Sequence, residues 1–156
     1  ELRGEKQERT STTDLEIDIE AYAPDDYISV QSERMDFYQQ LASCKAVEDV
    51  EKTRSQLQEI YGAIPRQVDN LLKIAKLKLL AHNAKVCKVS VKPGRGEITF
   101  VERDAMFNKK VFDALAESGD RVSASSSGYS IVFASTDYLQ KSRLLQAIED
   151  FLVKLQ

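Results

Sequence analysis

Few side chains in this sequence are of a type and spacing that could make or break bonds. The single histidine, His82, closes a strongly apolar helical stretch. There a basic residue interacts favourably with the helix dipole, and no nucleophile or acid accompanies it. Gly94-Arg95-Gly96 could cradle a phosphate, yet it lies between two strand patterns and no helix N-terminus follows, so it reads as a hairpin turn. Asp25-Asp26 could attract a cation, but adjacent acids in a turn point apart and lack further ligands. Ser123, Ser125, Ser126 and Ser127 form a hydroxyl cluster without a neighbouring base, which suits a second hairpin better than a nucleophile. Cys44 and Cys87 are far apart and belong to no C-x-x-C pair. With one histidine they fall short of the four ligands of a structural zinc site; two buried reduced thiols in a reducing compartment are expected, with a single disulfide the alternative if the fold brings them together. Phosphate-loop, dinucleotide, zinc-protease and serine-elbow motifs are all missing. The expectation is a chain without catalysis, cofactor or metal.

Charge is more informative. From Asp14 to Tyr61 there are 12 acids and 4 bases, net −8; from Arg66 to Arg95 there are 8 bases against Asp69 alone, net +7. Opposed blocks either attract each other within the fold or present acidic and basic surfaces to partners. The basic block, residues 66–95, raises DNA binding as an alternative function. It contains no Phe, Tyr or Trp for base stacking, and solvated charge is the plainer reading.

The elements that must carry these residues follow from periodicity. The chain has 156 residues, 42% apolar and 30% charged, enough for one ordinary domain with a real core. No apolar run reaches membrane-spanning length, no secretory signal opens the chain, and a first residue other than Met suggests a piece of a longer protein. Residues 1–13 read as a flexible tether and 14–156 as a single domain. Asp14 to Glu20 alternates strictly, the period of a half-buried strand, and Ala23-Pro24-Asp25-Asp26 is a turn. Tyr27 to Val30 is then a short extended piece. A helix follows from a Ser32 cap to Cys44, and another from Val47 to Tyr61, closed by Gly62. From Pro65 to Asn83 apolar residues cover most of the helical circumference, so this helix should be central and buried on several sides. The period then becomes two. Strands are expected over 85–92 and 97–101, about a turn at 93–96, and over 121–125 and 129–134. A helix over 108–118, burying Val111, Phe112 and Leu115, and a last helix capped by Asp137 complete the order. The class is α+β: an N-terminal strand and three helices, then two β-hairpins each followed by a helix, with a mostly antiparallel sheet.

Several of these stretches resemble a known family. They are Ala21-Tyr22-Ala23-Pro24-Asp25-Asp26-Tyr27-Ile28, the run from Glu33 to Ala42, Val47-Glu48-Asp49-Val50, Tyr61-Gly62-Ala63-Ile64-Pro65 and Val68 to Lys78. Together they are similar to the C-terminal domain of the bacterial transcription-repair coupling factors, the Mfd family. The likeness is close from Leu15 to Phe100 and is one of pattern thereafter. It implies a parent that is a cytoplasmic, ATP-driven DNA translocase, in contact with DNA, RNA polymerase and UvrA, acting in nucleotide excision repair. The motor domains lie upstream in the family, so this chain would neither hydrolyse ATP nor translocate. The resemblance further implies a monomeric regulatory domain that docks on the UvrB-like N-terminal module. Docked, it masks the UvrA-binding surface until polymerase is engaged. The family's docking acids on the second helix fall by position on Gln56 and Glu59, of which only Glu59 keeps the charge.

Overall fold

The computed structural model describes residues 13–119, 122–125, 129–134 and 141–156. The tether expected over 1–13 lies, Thr13 apart, outside the described residues, as do Asp137 and the turn at 126–128. Thr13 is buried, its hydroxyl donating to the Val86 carbonyl at 2.8 Å. The chain divides into two compact units: a helical one, Ile19–Leu79, and a sheet unit made from residues up to Asp18 and from Leu80–Gln156.

The helical unit holds α1 (Gln31–Ala42), α2 (Val47–Tyr61) and most of α3 (Arg66–Asn83). Ala23, Ile28, Phe37, Leu41, Val50, Leu57, Val68 and Leu72 form its core. The turn at Pro24 is tied in by its backbone: Tyr27 and Ile28 amides both donate to the Pro24 carbonyl, and the Ala23 amide donates to the Tyr38 hydroxyl at 2.8 Å. That turn replaces the extended piece expected from Tyr27. It also moves the helix start, because Val30 and not Ser32 is the N-cap of α1. Ile28 is wholly buried and Arg34 donates to its carbonyl at 2.7 Å, so anchoring of the lead-in fixes the boundary without a side-chain cap.

Helix α2 keeps its expected bounds. Ala46 has no side-chain acceptor, but Asp49 reaches back to the Ala46 and Lys45 amides at 3.1 Å, half of a capping box. Gly62 takes φ +88°, which an L side chain rarely adopts. Thr53, unexpected in the stripe, is buried between Val50 and Leu57; its hydroxyl donates to the Asp49 carbonyl and so leaves no unpaired polar atom. Along α3, Val68, Asn70, Leu72, Leu77, Leu80 and Ala81 are buried, with Leu71, Ile74, Ala75 and Leu79 half-buried. The all-round burial expected of this helix is present, and Asn70 is satisfied by the Glu20 carbonyl at 2.9 Å.

The sheet unit is five-stranded, order β1-β2-β3-β5-β4: β1 (Asp14–Ile17), β2 (Val86–Lys92), β3 (Arg95–Phe100), β4 (Val122–Ala124) and β5 (Ser130–Ala134). Only the β1–β2 pair is parallel, and the crossover that such a pair needs is the whole helical unit. The first hairpin is tighter than expected. Lys92 pairs with Arg95, leaving Pro93-Gly94 as the turn, with Gly94 at φ +76° and Gly96 inside β3. A Cβ on Gly96 would lie 2.9 Å from Ile148 Cδ1 and 3.1 Å from Leu144 Cδ1, so this glycine lets the last helix, α6 (Lys141–Lys154), cross the sheet closely. Between the hairpins lie α4 (Arg103–Met106), which the sequence pattern did not reveal, and α5 (Lys109–Ser118), capped by Asn108 onto the Val111 amide at 3.1 Å. Phe112 is not in the buried stripe: it is 51% exposed and rests against Phe107, centroids 6.2 Å apart. Val111 is buried as expected, Leu115 is half-buried, and Ala114 takes the inward place expected of Phe112. Cys44 and Cys87 are free thiols, half-buried where full burial was expected.

Two substitutions probe these cores. Leu72→Ala should cost about 2–5 kcal/mol in urea unfolding, since Leu72 is 1% exposed. Gly96→Val should cost about 1–3 kcal/mol by overpacking against α6; an unchanged midpoint would mean that α6 does not cross there.

Candidate protein-docking surface

The groups with chemical potential are not brought together. His82 is exposed in the last turn of α3, Asp25 and Asp26 are exposed in their turn, and Ser123 is exposed on β4. Among the described residues no cluster of histidine, cysteine or acid has metal-site geometry.

The basic block is largely taken up by acids of its own unit. Arg66 meets Glu20 at 3.8 Å, Lys73 meets Asp69 at 3.6 Å, and Lys76 meets Glu51 at 3.6 Å. Lys88 meets Glu16 at 3.4 Å and Arg95 meets Glu97 at 3.8 Å. The tightest pair joins α2 to α3: Arg54 Nη2 donates to Asp69 Oδ1 at 2.7 Å, both side chains about 30% exposed. Partial shielding and short geometry make it stronger than the solvated pairs, each contributing well under ~1 kcal/mol.

The outward side of α2 is different. Gln56 and Glu59, three residues apart, are both exposed and line one open trough of about 580 Å³ with Glu48, Glu51, Ser55 and Lys76. Gln56 is also tied into the fold, its carbonyl oxygen accepting from Gln40 Nε2 on α1 at 2.8 Å. Glu59 makes no ion pair with any described residue. On the far side of Gln56 a second, narrower groove of about 160 Å³ runs between α1 and α2. Phe37, Leu57, Ile60 and Tyr61 give it an apolar lining, and Glu33 and Asp36 rim it from α1. Ile60 is 68% exposed, more than any other large apolar residue noted here. Sequence reading missed this groove because its walls come from two helices. The available signal was Ile60, an apolar residue off the buried stripe of α2.

Two tyrosines brace this end of the unit. The Tyr61 hydroxyl donates to Glu33 Oε1 at 2.8 Å, and that bond, with burial and the nearby negative charge, holds its pKa above the usual tyrosine value. Tyr27 donates to the Gly62 carbonyl at 3.0 Å, and burial raises its pKa too. The rings lie 5.6 Å apart.

The described residues define an α+β domain with an acid-rimmed helical surface, and comparison with known proteins places it in a family. In overall fold the chain is similar to a crystal structure of the C-terminal domain of transcription-repair coupling factor. The TM-score is 0.80 at 23% identity, over 92% of this chain and 91% of that one. The family model of the TRCF domain matches residues 17–111, and the chain belongs to that family. Curated relatives are transcription-repair-coupling factors. That of Borreliella burgdorferi is 24% identical over 86% of this chain, that of Buchnera aphidicola 33% over 56%, and that of Escherichia coli K12 29% over 59%. The chain spans only 12%, 13% and 8% of those proteins' lengths.

A raised tyrosine pKa stabilises the fold fully below the unfolded value near 10, and the contribution is lost as pH rises through the folded value. Stability of the helical unit should therefore fall above about pH 10. Tyr61→Phe should remove one late-titrating hydroxyl from the ultraviolet titration and flatten that fall; an unchanged titration would show that Glu33 does not hold Tyr61.

Proposed function

We propose that this chain is a non-catalytic regulatory domain of a transcription-repair coupling factor. It docks on the parent's UvrB-like module and masks the UvrA-binding surface until RNA polymerase is engaged. The observation that carries the reading is the state of Glu59. It stands exposed beside Gln56 and makes no ion pair with a described residue, although Lys52 and Lys76 line the same trough, while Glu51 and Asp69 close by meet Lys76 and Arg54. An uncompensated acid on a rigid helix is suited to receive a basic partner, setting association rate and register more than raw affinity. Gln56 has an amide where the family carries an acid, and it is occupied by Gln40, so its role here is to shape the face.

The alternative, DNA binding through residues 66–95, loses support from the ion pairs. Arg66, Lys73, Lys76, Lys88 and Arg95, five of its eight bases, face carboxylates, and spare charge is what phosphate contacts require.

The isolated UvrB-like module should bind this chain in trans, and Glu59→Arg should weaken that binding about tenfold or more while leaving the melting temperature unchanged. In the parent, deleting the domain should raise UvrA affinity. Absence of both effects sinks the masking role. Salt-dependent affinity for duplex DNA would restore the alternative.

A further inference from the structure

We infer that the outer surface of α4 and α5, on the sheet unit, is a protein-docking patch for a helical segment that carries a carboxylate one turn from an apolar side chain. Its centre is aromatic. Phe107 and Phe112 are each about half exposed, their rings 6.2 Å apart and tilted at 53°. Ala116, exposed one turn after Phe112, extends the apolar surface along α5. Rings left in water on a surface cost hydration until something covers them, and a contiguous apolar patch marks an interaction site more often than isolated residues do. The patch is held in shape from beneath. Met106 is buried, and the Phe107 amide closes α4 on the Arg103 carbonyl at 2.8 Å. Asn108 joins the two helices, donating to the Ala105 carbonyl at 2.7 Å and accepting from the Val111 amide at 3.1 Å. A backbone so fixed leaves little to order when a partner arrives.

Charge decides the occupant. The Arg103 guanidinium lies 5.5 Å from the centre of the Phe107 ring. Among the described residues it has no carboxylate and no side-chain hydrogen-bond partner. Set over a ring face, it keeps its N–H fork for a bidentate acceptor. The acids of α5 are already answered, Asp113 by Lys109 at 2.9 Å and Glu117 by Lys154 at 3.2 Å. Glu102 and Asp104 line a separate cavity with Asn108 and Lys110, to which Arg103, Phe107 and Phe112 do not contribute. The patch therefore sets a cation without an acid beside open aromatic rings, the residue types that dominate protein interfaces. A carboxylate next to an apolar anchor complements both halves. On a helix, Glu and Leu one turn apart present that pair on one face. A nucleic-acid strand fits less well. Tilted rings make a notch for a branched aliphatic side chain rather than a flat platform for bases, and Arg103 beside paired acids gives successive phosphates little to release counterions against.

The test titrates the whole chain, labelled in its phenylalanine and arginine side chains, with an alanine-rich helical peptide carrying one Glu-x-x-Leu pair. The Phe107 and Phe112 rings and the Arg103 Nε–H resonance should shift. Replacing Glu by Gln, or Leu by Ala, in the peptide should weaken the response about fivefold or more. Arg103→Glu should abolish the response to this peptide and confer one to its Lys-x-x-Leu counterpart, with circular dichroism unchanged. Phe112→Ser should abolish binding without lowering the melting temperature; if it disturbs the fold, the charge swap at Arg103 decides alone. No shift at these residues, or equal shifts with the Glu and Gln peptides, overturns the patch. So does an oligothymidylate that moves the same rings at lower concentration than the peptide, which makes the occupant a nucleic acid. Ring shifts that grow with chain concentration alone also overturn it, making the occupant a second copy. None of these outcomes bears on Glu59 or on the docking proposed above.

Discussion

Burial of α3 on nearly all sides is the constraint on which the rest depends. Its Val68 and Leu72 belong to the helical core, and the buried Leu80 and Ala81 open the sheet unit. A helix so covered has little surface left for function, and its lysines Lys73 and Lys76 run their stems outward to Asp69 and Glu51. The more open surface of the unit belongs to the helices around it. In α2 the inner stripe of Val50, Thr53 and Leu57 is fixed by the core, and the outer face is free to carry whatever a partner needs.

The two charge blocks are largely an internal matter. Arg54 to Asp69 ties α2 to α3, Arg66 to Glu20 ties α3 to the lead-in, and Lys88 to Glu16 crosses the parallel strands. What remains after this pairing is more informative than the net charge. Asp36, Glu48 and Glu59 on the first two helices are among the acids without an ion pair to a described residue, as are Asp25, Asp26, Glu102 and Asp104 elsewhere.

Much of the architecture was legible in the sequence because periodicity and glycine placement are local signals. The α2 bounds, the continuous burial of α3, both hairpins and the α+β class all follow from them. What was not legible depends on distant chain. Ser32 lost the cap of α1 because a buried Ile28 and the Pro24 carbonyl set the path into the helix. Gly96 read as turn because nothing in its neighbourhood announces that Leu144 and Ile148 will arrive above it. Phe112 read as core because its hydrophobicity is plain, while its partner, Phe107, is itself on the surface. Of the surface, Gln56 and Glu59 were reached only by family likeness. The groove beside them needed α1 and α2 side by side.

Placing the entire helical unit between β1 and β2 has a thermodynamic consequence. With α1 to α3 folded, the ends of that insertion are held by structure, and β1 meets β2 as a near neighbour. Were the helices to melt, Asp14–Ile17 would find its register only by closing a loop through disordered chain, whose entropy its few ladder bonds and the Thr13 contact would have to offset. The outermost strand is in this sense a gauge of helical integrity. Asp14–Ile17 is the strand of the sheet whose pairing depends most on chain that lies outside the sheet.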